Sequence, residues 1–253
     1  GGSVRQPADF CGIIGLKPTY GSISRYGLIA YASSFDQVGI FGINIKDVAL
    51  LLEIMSGEDE YDSTSIQLPV DGRSLSECLA NNEQVKISEK KYRIAYFKEA
   101  LHHPSLDVEI KENIVNLIES LRAKGHFVSE IDFDLLDYVV PAYYVLTTAE
   151  ASSNLNRYDG IRYGHQTMDN IKDLTEFYKR NRTEGFGKEV RRRIMLGTFV
   201  LSSGYYDAYF SKAQQVRRLL INQTDDIFAD YEAVIMPTSP TTAFEFGNKS
   251  NDP

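Results

Sequence analysis

Residues 92–133 read YRIAYFKEALHHPSLDVEIKENIVNLIESLRAKGHFVSEIDF, and this stretch decides the fold class. Residues 92–97 are rich in strand-forming side chains, which predicts a strand. After Pro104, apolar residues recur at helical spacing as far as Gly125, which predicts an amphipathic helix. Apolar and polar residues then alternate over 126–133, which predicts a second strand. A strand, a helix and a strand in this order form the βαβ unit of a parallel sheet.

Helices are predicted on both sides of this unit. Asn44 is suited to cap a helix over 45–56, and Gly57 is suited to end it. The later helices are predicted over 141–158, 170–181, 187–203 and 205–229, and a short buried strand over 233–236. The fold class is therefore α/β, with a helical segment over 138–230 inserted between the last two strands.

Two regions have weaker patterns. Residues 1–43 are rich in Gly, Ser and aromatic residues, which favours a region of loops and short strands. Residues 58–91 are polar and acidic, and we expect a surface connection with one short helix near 75–79.

Composition excludes several classes of protein. The 253 residues are 43% hydrophobic and 25% charged, as in ordinary globular proteins and unlike disordered chains. A formal net charge of −8 argues against a stand-alone nucleic-acid binder. Two cysteines, Cys11 and Cys78, are too few for a disulfide framework, which favours a reducing compartment. No apolar run reaches the roughly 18 residues that span a bilayer. The chain lacks an initial Met and opens within a motif, so we expect a fragment.

Metal and nucleotide sites are not predicted in this chain. The four histidines, His102, His103, His126 and His165, have no partners at the spacing of metal ligands. The phosphate-loop pattern and Gly-x-Gly-x-x-Gly after a strand are both absent. No Gly-x-Ser-x-Gly elbow supports a hydrolase of that type either.

The first three residues, Gly1, Gly2 and Ser3, are a candidate nucleophile site. Glycines let the backbone approach a ligand closely, and successive N–H groups can bind a developing negative charge. Ser3 has the hydroxyl of a nucleophile but needs a base. On these three residues alone, a flexible terminus or a cloning remnant is the favoured interpretation.

Arg182 is a candidate ligand-binding residue, because it begins RTEGFG, where a helix is predicted to end in a glycine loop. A guanidinium in this position could bind a small carboxylate through a bidentate contact. The basic clusters at 179–182 and 188–193 are interrupted by Glu184 and Glu189, which favours a solvated face or a partner contact.

Two groups of motifs carry a resemblance to a known family. The first comprises GGSVRQPA (1–8), CGIIGLKPTYG (11–21), SRYGL (24–28) and SSFDQVG (33–39), and it resembles the amidase signature family. The second comprises EASSNLNRYDGIRYG (150–164), RTEGFGKEVRRRI (182–194) and SSGYYDAY (202–209). It narrows the resemblance to the A subunits of glutamyl-tRNA(Gln) amidotransferases. Ile40 is a small departure, since the family usually has proline there.

The resemblance implies a mixed, largely parallel sheet flanked by helices, within a single domain that includes 1–253. It also implies a glutaminase in which Ser3 attacks the side-chain amide of glutamine and forms an acyl-enzyme. The family's triad adds a serine on a cis peptide bond and an unprotonated lysine, both upstream of the matching segment. The other roles implied are the oxyanion N–H groups of Gly1 and Gly2, the carboxylate clamp Arg182, the ammonium ligand Asp252, and a pocket wall from Tyr143 or Tyr144.

The resemblance further implies partners. The ammonia would pass to a partner protein that binds ATP and Mg and acts on Glu-tRNA(Gln), in a heterotrimer with subunits B and C. No cofactor is expected in this chain, and the protein is expected in a bacterial cytoplasm or an organelle. Because the lysine and the second serine lie outside it, the fragment alone is expected to be inactive. Two alternatives stay open: a stand-alone amidase for another amide, and a catalytically incomplete fragment that only binds partner subunits.

Overall fold

The computed structural model describes residues 2–67 and 90–247, and it gives the following elements in chain order. They are α1 (Gly2–Phe10), β1 (Ile14–Leu16), β2 (Ile40–Gly42), α2 (Ile45–Met55), β3 (Arg93–Phe97), α3 (Lys98–Leu101), α4 (Val108–Ala123), β4 (Phe127–Ile131), α5 (Leu136–Asn154), the 3₁₀-helix Leu155–Arg157, α6 (Leu174–Gly185), α7 (Lys188–Val200), the π-helix Asp207–Ser211, α8 (Lys212–Asp230) and β5 (Ala233–Ile235).

A three-stranded parallel sheet has the order β4-β3-β5, with β3 in the centre. Ile94 of β3 pairs with Val128 on one side and with Ala233 on the other. The strands and the helix predicted from 92–133 are therefore confirmed as a βαβ unit. The helices α5–α8 lie between β4 and β5 in the chain, which confirms the α/β class and the inserted helical segment.

The described residues form two compact units. One comprises 2–27, 37–67, 90–136 and 224–247, and the other comprises 28–36 and 137–223. In the first, Ile94, Leu101, Ile118 and Val128 form the core beneath the parallel sheet. In the second, the core is built from α5 and α8, through Ala142, Leu146 and Ala213. The single-domain organisation over 1–253 stays a prediction.

The expectation of loops and short strands over 1–43 was wrong for 2–10, which form α1. Gly2 and Pro7 give this segment a poor intrinsic helix propensity. Tertiary packing of its Val4 and Ala8 face compensates, as it does for most protein helices. Residues 75–79 and Cys78 lie outside the described residues.

Several helix boundaries also differ from the prediction. Helix α5 begins at Leu136 and not at 141, so Pro141 lies inside the helix and not at its first position. Helix α6 begins after Asp173, whose side chain accepts a hydrogen bond from the Glu176 N–H and caps the helix. The helix predicted over 205–229 begins with the π-helix, whose wider turns the apolar spacing did not indicate. The N-terminal cap of α2 at Asn44 is confirmed, since its side chain accepts from the Asp47 N–H.

Asp62 fastens the loop after α2 to the segment around Arg25. It is 9% exposed and accepts hydrogen bonds from the Arg25 N–H, the Thr64 N–H and the Thr64 hydroxyl, at 2.7–3.0 Å. The Arg25 Nε lies 3.6 Å from a carboxylate oxygen of Asp62. These hydrogen bonds, led by the one from the Thr64 hydroxyl, lower the pKa of Asp62 from 3.8 to about 2.

The depressed pKa of Asp62 predicts a stability that decreases in acid. Its contribution is fully present above the unfolded pKa and is lost as the pH falls through the folded pKa, so the window lies between about 4 and about 2. The side chain at position 62 cannot titrate in an Asp62→Asn variant. Across this window, the unfolding free energy of the variant should therefore fall by about 1–2 kcal/mol less than that of wild type. Urea unfolding at pH 2–6 measures it, and identical pH slopes for the two proteins would contradict the prediction.

Candidate active site

The candidate nucleophile lies at the start of a helix. Helix α1 begins at Gly2, and Ser3 is in its first turn. Both residues are exposed, and the Ser3 hydroxyl has no hydrogen-bond partner among residues 2–67 and 90–247. The first N–H groups of a helix lack intrahelical acceptors and carry the positive end of its dipole. This arrangement can stabilise negative charge beside Ser3. Gly1 lies outside the described residues.

Two glycines allow α1 to pack closely on the antiparallel hairpin of β1 and β2. A Cβ on Gly15 would lie 2.6 Å from the Ala8 Cβ and 2.8 Å from the Val4 carbonyl oxygen. A Cβ on Gly39 would lie 2.5 Å from Cγ2 of Val4. Larger residues at either position would push the helix off the hairpin. The glycines in the motifs around 11–21 and 33–39 therefore have a packing role in supporting α1.

Lys17 lies on the same hairpin but is committed to local contacts. Its ammonium donates to the Pro18 carbonyl and to Oε1 of Gln37, the second at 2.9 Å. Burial, and then the charge of Arg5, lower the pKa of this side chain. We assign Lys17 to the support of the hairpin and not to the role of general base.

Arg182, the predicted carboxylate-binding residue, is half-buried in the last turn of α6. Its Nη1 donates to the carbonyls of Leu155 and Tyr158, at 3.1 and 3.3 Å. The guanidinium carbon lies 5.0 Å from the centroid of the Phe186 ring. Its Nε and Nη2 have no hydrogen-bond partner within the described part of the chain. One nitrogen therefore anchors the group, and the other two can donate to a carboxylate.

Burial lowers the pKa of Arg182, while the nearby Asp159 acts in the opposite direction. An arginine stays protonated despite such a shift, because its intrinsic pKa is above 12. A partly desolvated cation gains more from a bound anion than an exposed one does. The site is therefore suited to a small carboxylate.

Asn181 holds the loop beside Arg182, and sequence reasoning missed it. This residue is 2% exposed; its amide nitrogen donates to the Asp159 carbonyl and its oxygen accepts from the Thr167 N–H. Gly160 has φ +85°, and a Cβ there would lie 2.2 Å from Nδ2 of Asn181. The Asp-Gly pair at 159–160 signals the turn in the sequence, but nothing local indicates which side chain fastens it.

Tyr143 and Tyr144 lie on α5 and are 42% and 46% exposed. The Tyr143 ring packs edge-on against Phe35 at 5.9 Å, and burial followed by Tyr31 raises the pKa of Tyr143. The Arg193 guanidinium lies 6.0 Å from the Tyr144 ring and donates to the Tyr31 hydroxyl. A role for either tyrosine in binding substrate stays a prediction.

The predicted site residues are distributed over the two units. Ser3 belongs to the first unit, and Arg182, Tyr143 and Tyr144 belong to the second. The structure groups Arg182 with Phe186 and the 155–159 segment. Asp252 lies outside the described residues. In residues 2–67 and 90–247, no three His, Cys, Asp or Glu side chains cluster as a metal site would need, and no helix is long and apolar enough to cross a membrane.

A family model described as Amidase matches residues 1–253, which is the whole chain. The chain belongs to the amidase family. Two curated relatives are named as A subunits of glutamyl-tRNA(Gln) amidotransferase, one from Brevibacillus brevis and one from Staphylococcus aureus strain MRSA252. Each is 48% identical over 253 residues, which are 100% of this chain and 50% of the relative. The chain therefore spans about half the length of the curated relatives it matches.

Solved structures confirm the amidase fold. A crystal structure titled amidase has a TM-score of 0.67 at 22% identity, and the match covers 98% of this chain and 45% of that protein. A 6-aminohexanoate cyclic dimer hydrolase has a TM-score of 0.70 at 20% identity, covering 98% and 47%. At 22% and 20% identity, the likeness to these two structures shows the fold alone.

Proposed function

We propose that this amidase-family chain carries the glutamine-hydrolysing site of a glutamyl-tRNA(Gln) amidotransferase. The observation that carries the proposal is the Arg182 guanidinium, half-buried, anchored through Nη1 and able to donate through Nε and Nη2. Glutamine has an α-carboxylate that such a group would bind, whereas a hydrolase for apolar amides has no use for it. The 48% identity to the two relatives over the whole chain also supports the proposal.

The proposed reaction begins at the Ser3 hydroxyl. Its oxygen bonds to the side-chain carbonyl carbon of glutamine, and the resulting oxyanion accepts hydrogen bonds from the N–H groups of Gly1 and Gly2. The C–N bond then breaks, ammonia leaves, and water hydrolyses the glutamyl ester to glutamate. The family's second serine and lysine would move the proton, and we assign neither role within these 253 residues.

Arg182 and Asp252 would hold the two charged groups of the amino acid, and Tyr143 or Tyr144 would line the pocket. The ammonia would pass to a partner protein that binds ATP and Mg and converts Glu-tRNA(Gln) to Gln-tRNA(Gln). The partners would be subunits B and C of a heterotrimer, in a bacterial cytoplasm or an organelle. This chain itself would hold no cofactor.

Replacing Arg182 by alanine tests the proposed substrate. In the full-length gene product, kcat/KM for glutamine should fall about 10²- to 10³-fold, because two charge-assisted hydrogen bonds are lost. Arg182→Lys keeps the charge but not the bidentate contact, so it should recover only part of the loss in kcat/KM. Butyramide, a primary amide without a carboxylate, should be hydrolysed equally by wild type and variant. Ammonia release measures all of these rates.

Arg191→Ala is the matched control, because Arg191 is an exposed arginine on the neighbouring helix α7. It should leave glutamine turnover unchanged. Unaltered glutamine turnover in Arg182→Ala would instead favour a stand-alone amidase. Co-purification with subunits B and C without turnover by the wild-type protein would favour a chain that only binds partners.

A further inference from the structure

We propose that four residues position the nucleophile helix from its far end. The α1 clamp consists of Asp9 and Phe10 at the end of α1, and Ser239 and Phe244 in the segment after β5. The proposal rests on Ser3 being the nucleophile, as set out under the proposed function. The clamp lies at the opposite end of α1 from Ser3, and it acts by fixing where Ser3 lies.

A hydrogen bond and an aromatic contact make up the clamp. The Ser239 hydroxyl oxygen lies 2.8 Å from Oδ2 of Asp9 and also 2.8 Å from the Thr241 carbonyl oxygen. Ser239 is 4% exposed, so water competes little for its hydroxyl. The rings of Phe10 and Phe244 meet edge to face, with centroids 5.4 Å apart and planes at 78°.

The clamp is anchored to the parallel sheet. Ser239 follows β5 by four residues, and β5 pairs with the central strand β3. The next residue, Pro240, accepts a hydrogen bond from the Asp107 N–H at 2.8 Å, and Asp107 caps α4. The segment that holds α1 is therefore itself fixed to a strand and to a packed helix of the same unit.

Helix α1 needs this second attachment for a reason visible in its sequence. Pro7 has no N–H, so the Ser3 carbonyl lacks the usual hydrogen bond from the residue four positions later. The hairpin contacts of Val4 and Ala8 hold one face of the helix. Asp9 lies six residues after Ser3, about 9 Å along the helix axis. Over this distance, a small rotation of α1 about its C-terminal end would displace the Ser3 hydroxyl.

The test compares Ser239→Ala, Asp9→Ala and Ser239→Thr in the full-length gene product. The two alanine variants should lower kcat for ammonia release from glutamine on the order of tenfold, with KM within about twofold of wild type, because misplacement affects the attack. Ser239→Thr keeps the hydroxyl and should restore the rate. Ser105→Ala removes an exposed serine hydroxyl from the same unit and should change nothing.

Labelling by a fluorophosphonate gives a second measurement. The Ser3 oxygen bonds to phosphorus as fluoride leaves, so the labelling rate reports on this hydroxyl without any amide substrate. Slower labelling in both alanine variants supports the clamp, even if wild-type protein does not hydrolyse glutamine and the proposed function fails. Because Asp9 is exposed, Asp9→Ala tests the clamp even if Ser239→Ala does not fold.

Three results would overturn the clamp. The first is a lowered melting temperature with unchanged kcat and labelling rate, which would mean a structural role only. The second is a raised KM at constant kcat, which would place the effect on substrate binding. The third is a Ser239→Thr variant as slow as Ser239→Ala.

Discussion

Ser3→Ala is expected to lower the rate of ammonia release from glutamine at least about 10⁴-fold in the full-length gene product. Without the hydroxyl oxygen no glutamyl ester can form. The N–H groups at the start of α1 and Arg182 would remain, so glutamine should still bind. A coupled ammonia assay, with KM followed where activity remains, measures the effect.

The same substitution should leave the fold intact. The Ser3 side chain is exposed and has no hydrogen-bond partner in the described ranges, so its loss removes no stabilising contact. The melting temperature should therefore match wild type. Mass spectrometry of acid-quenched wild-type protein should find a glutamyl adduct on the peptide with Ser3, and Ser3→Ala should lack it. Ammonia release by Ser3→Ala at the wild-type rate would exclude Ser3 as the nucleophile.

The parallel sheet was predictable because its signals are local. The strand β3, the helix α4 and the strand β4 each carry their own periodicity, and a crossover between parallel strands almost always takes a helix. The cap at Asn44 was predictable for the same reason, since its partner is three residues away. The helix α1 was not predictable, because the packing that stabilises it depends on Gly15 and Gly39, which lie outside the helix.

The candidate site divides in the same way. The motifs indicated Ser3 and Arg182, because a hydroxyl nucleophile and a carboxylate-binding guanidinium can be recognised from the residue type alone. The surroundings of Arg182 depend on carbonyls at Leu155 and Tyr158, 27 and 24 residues away. The contact between Asp9 and Ser239 joins residues 230 apart, and one sequence gives no signal for such a pair. Only the folded chain shows which polar groups meet.

Gly197 shows how a contact between helices overrides local propensity. It lies in the middle of α7, where glycine costs about 1 kcal/mol of helix stability relative to alanine. On propensity alone, Gly197→Ala should stabilise the protein. A Cβ there would lie 1.9 Å from the Thr148 carbonyl oxygen on α5 and 2.8 Å from the Ser152 Cβ. The nearest obstacle is backbone, which cannot move aside as a flexible side chain can.

We therefore expect Gly197→Ala to lower the free energy of unfolding by about 2–4 kcal/mol, because overpacking against backbone exceeds the gain in helix propensity. The control is Gly187→Ala at the start of the same helix. A Cβ on Gly187 would meet nothing within 4 Å, and its φ of −61° suits alanine. That variant should change stability by less than about 1 kcal/mol. Urea unfolding of both variants measures the difference, and a Gly197→Ala protein more stable than wild type would show that α7 can move away from α5 at little cost.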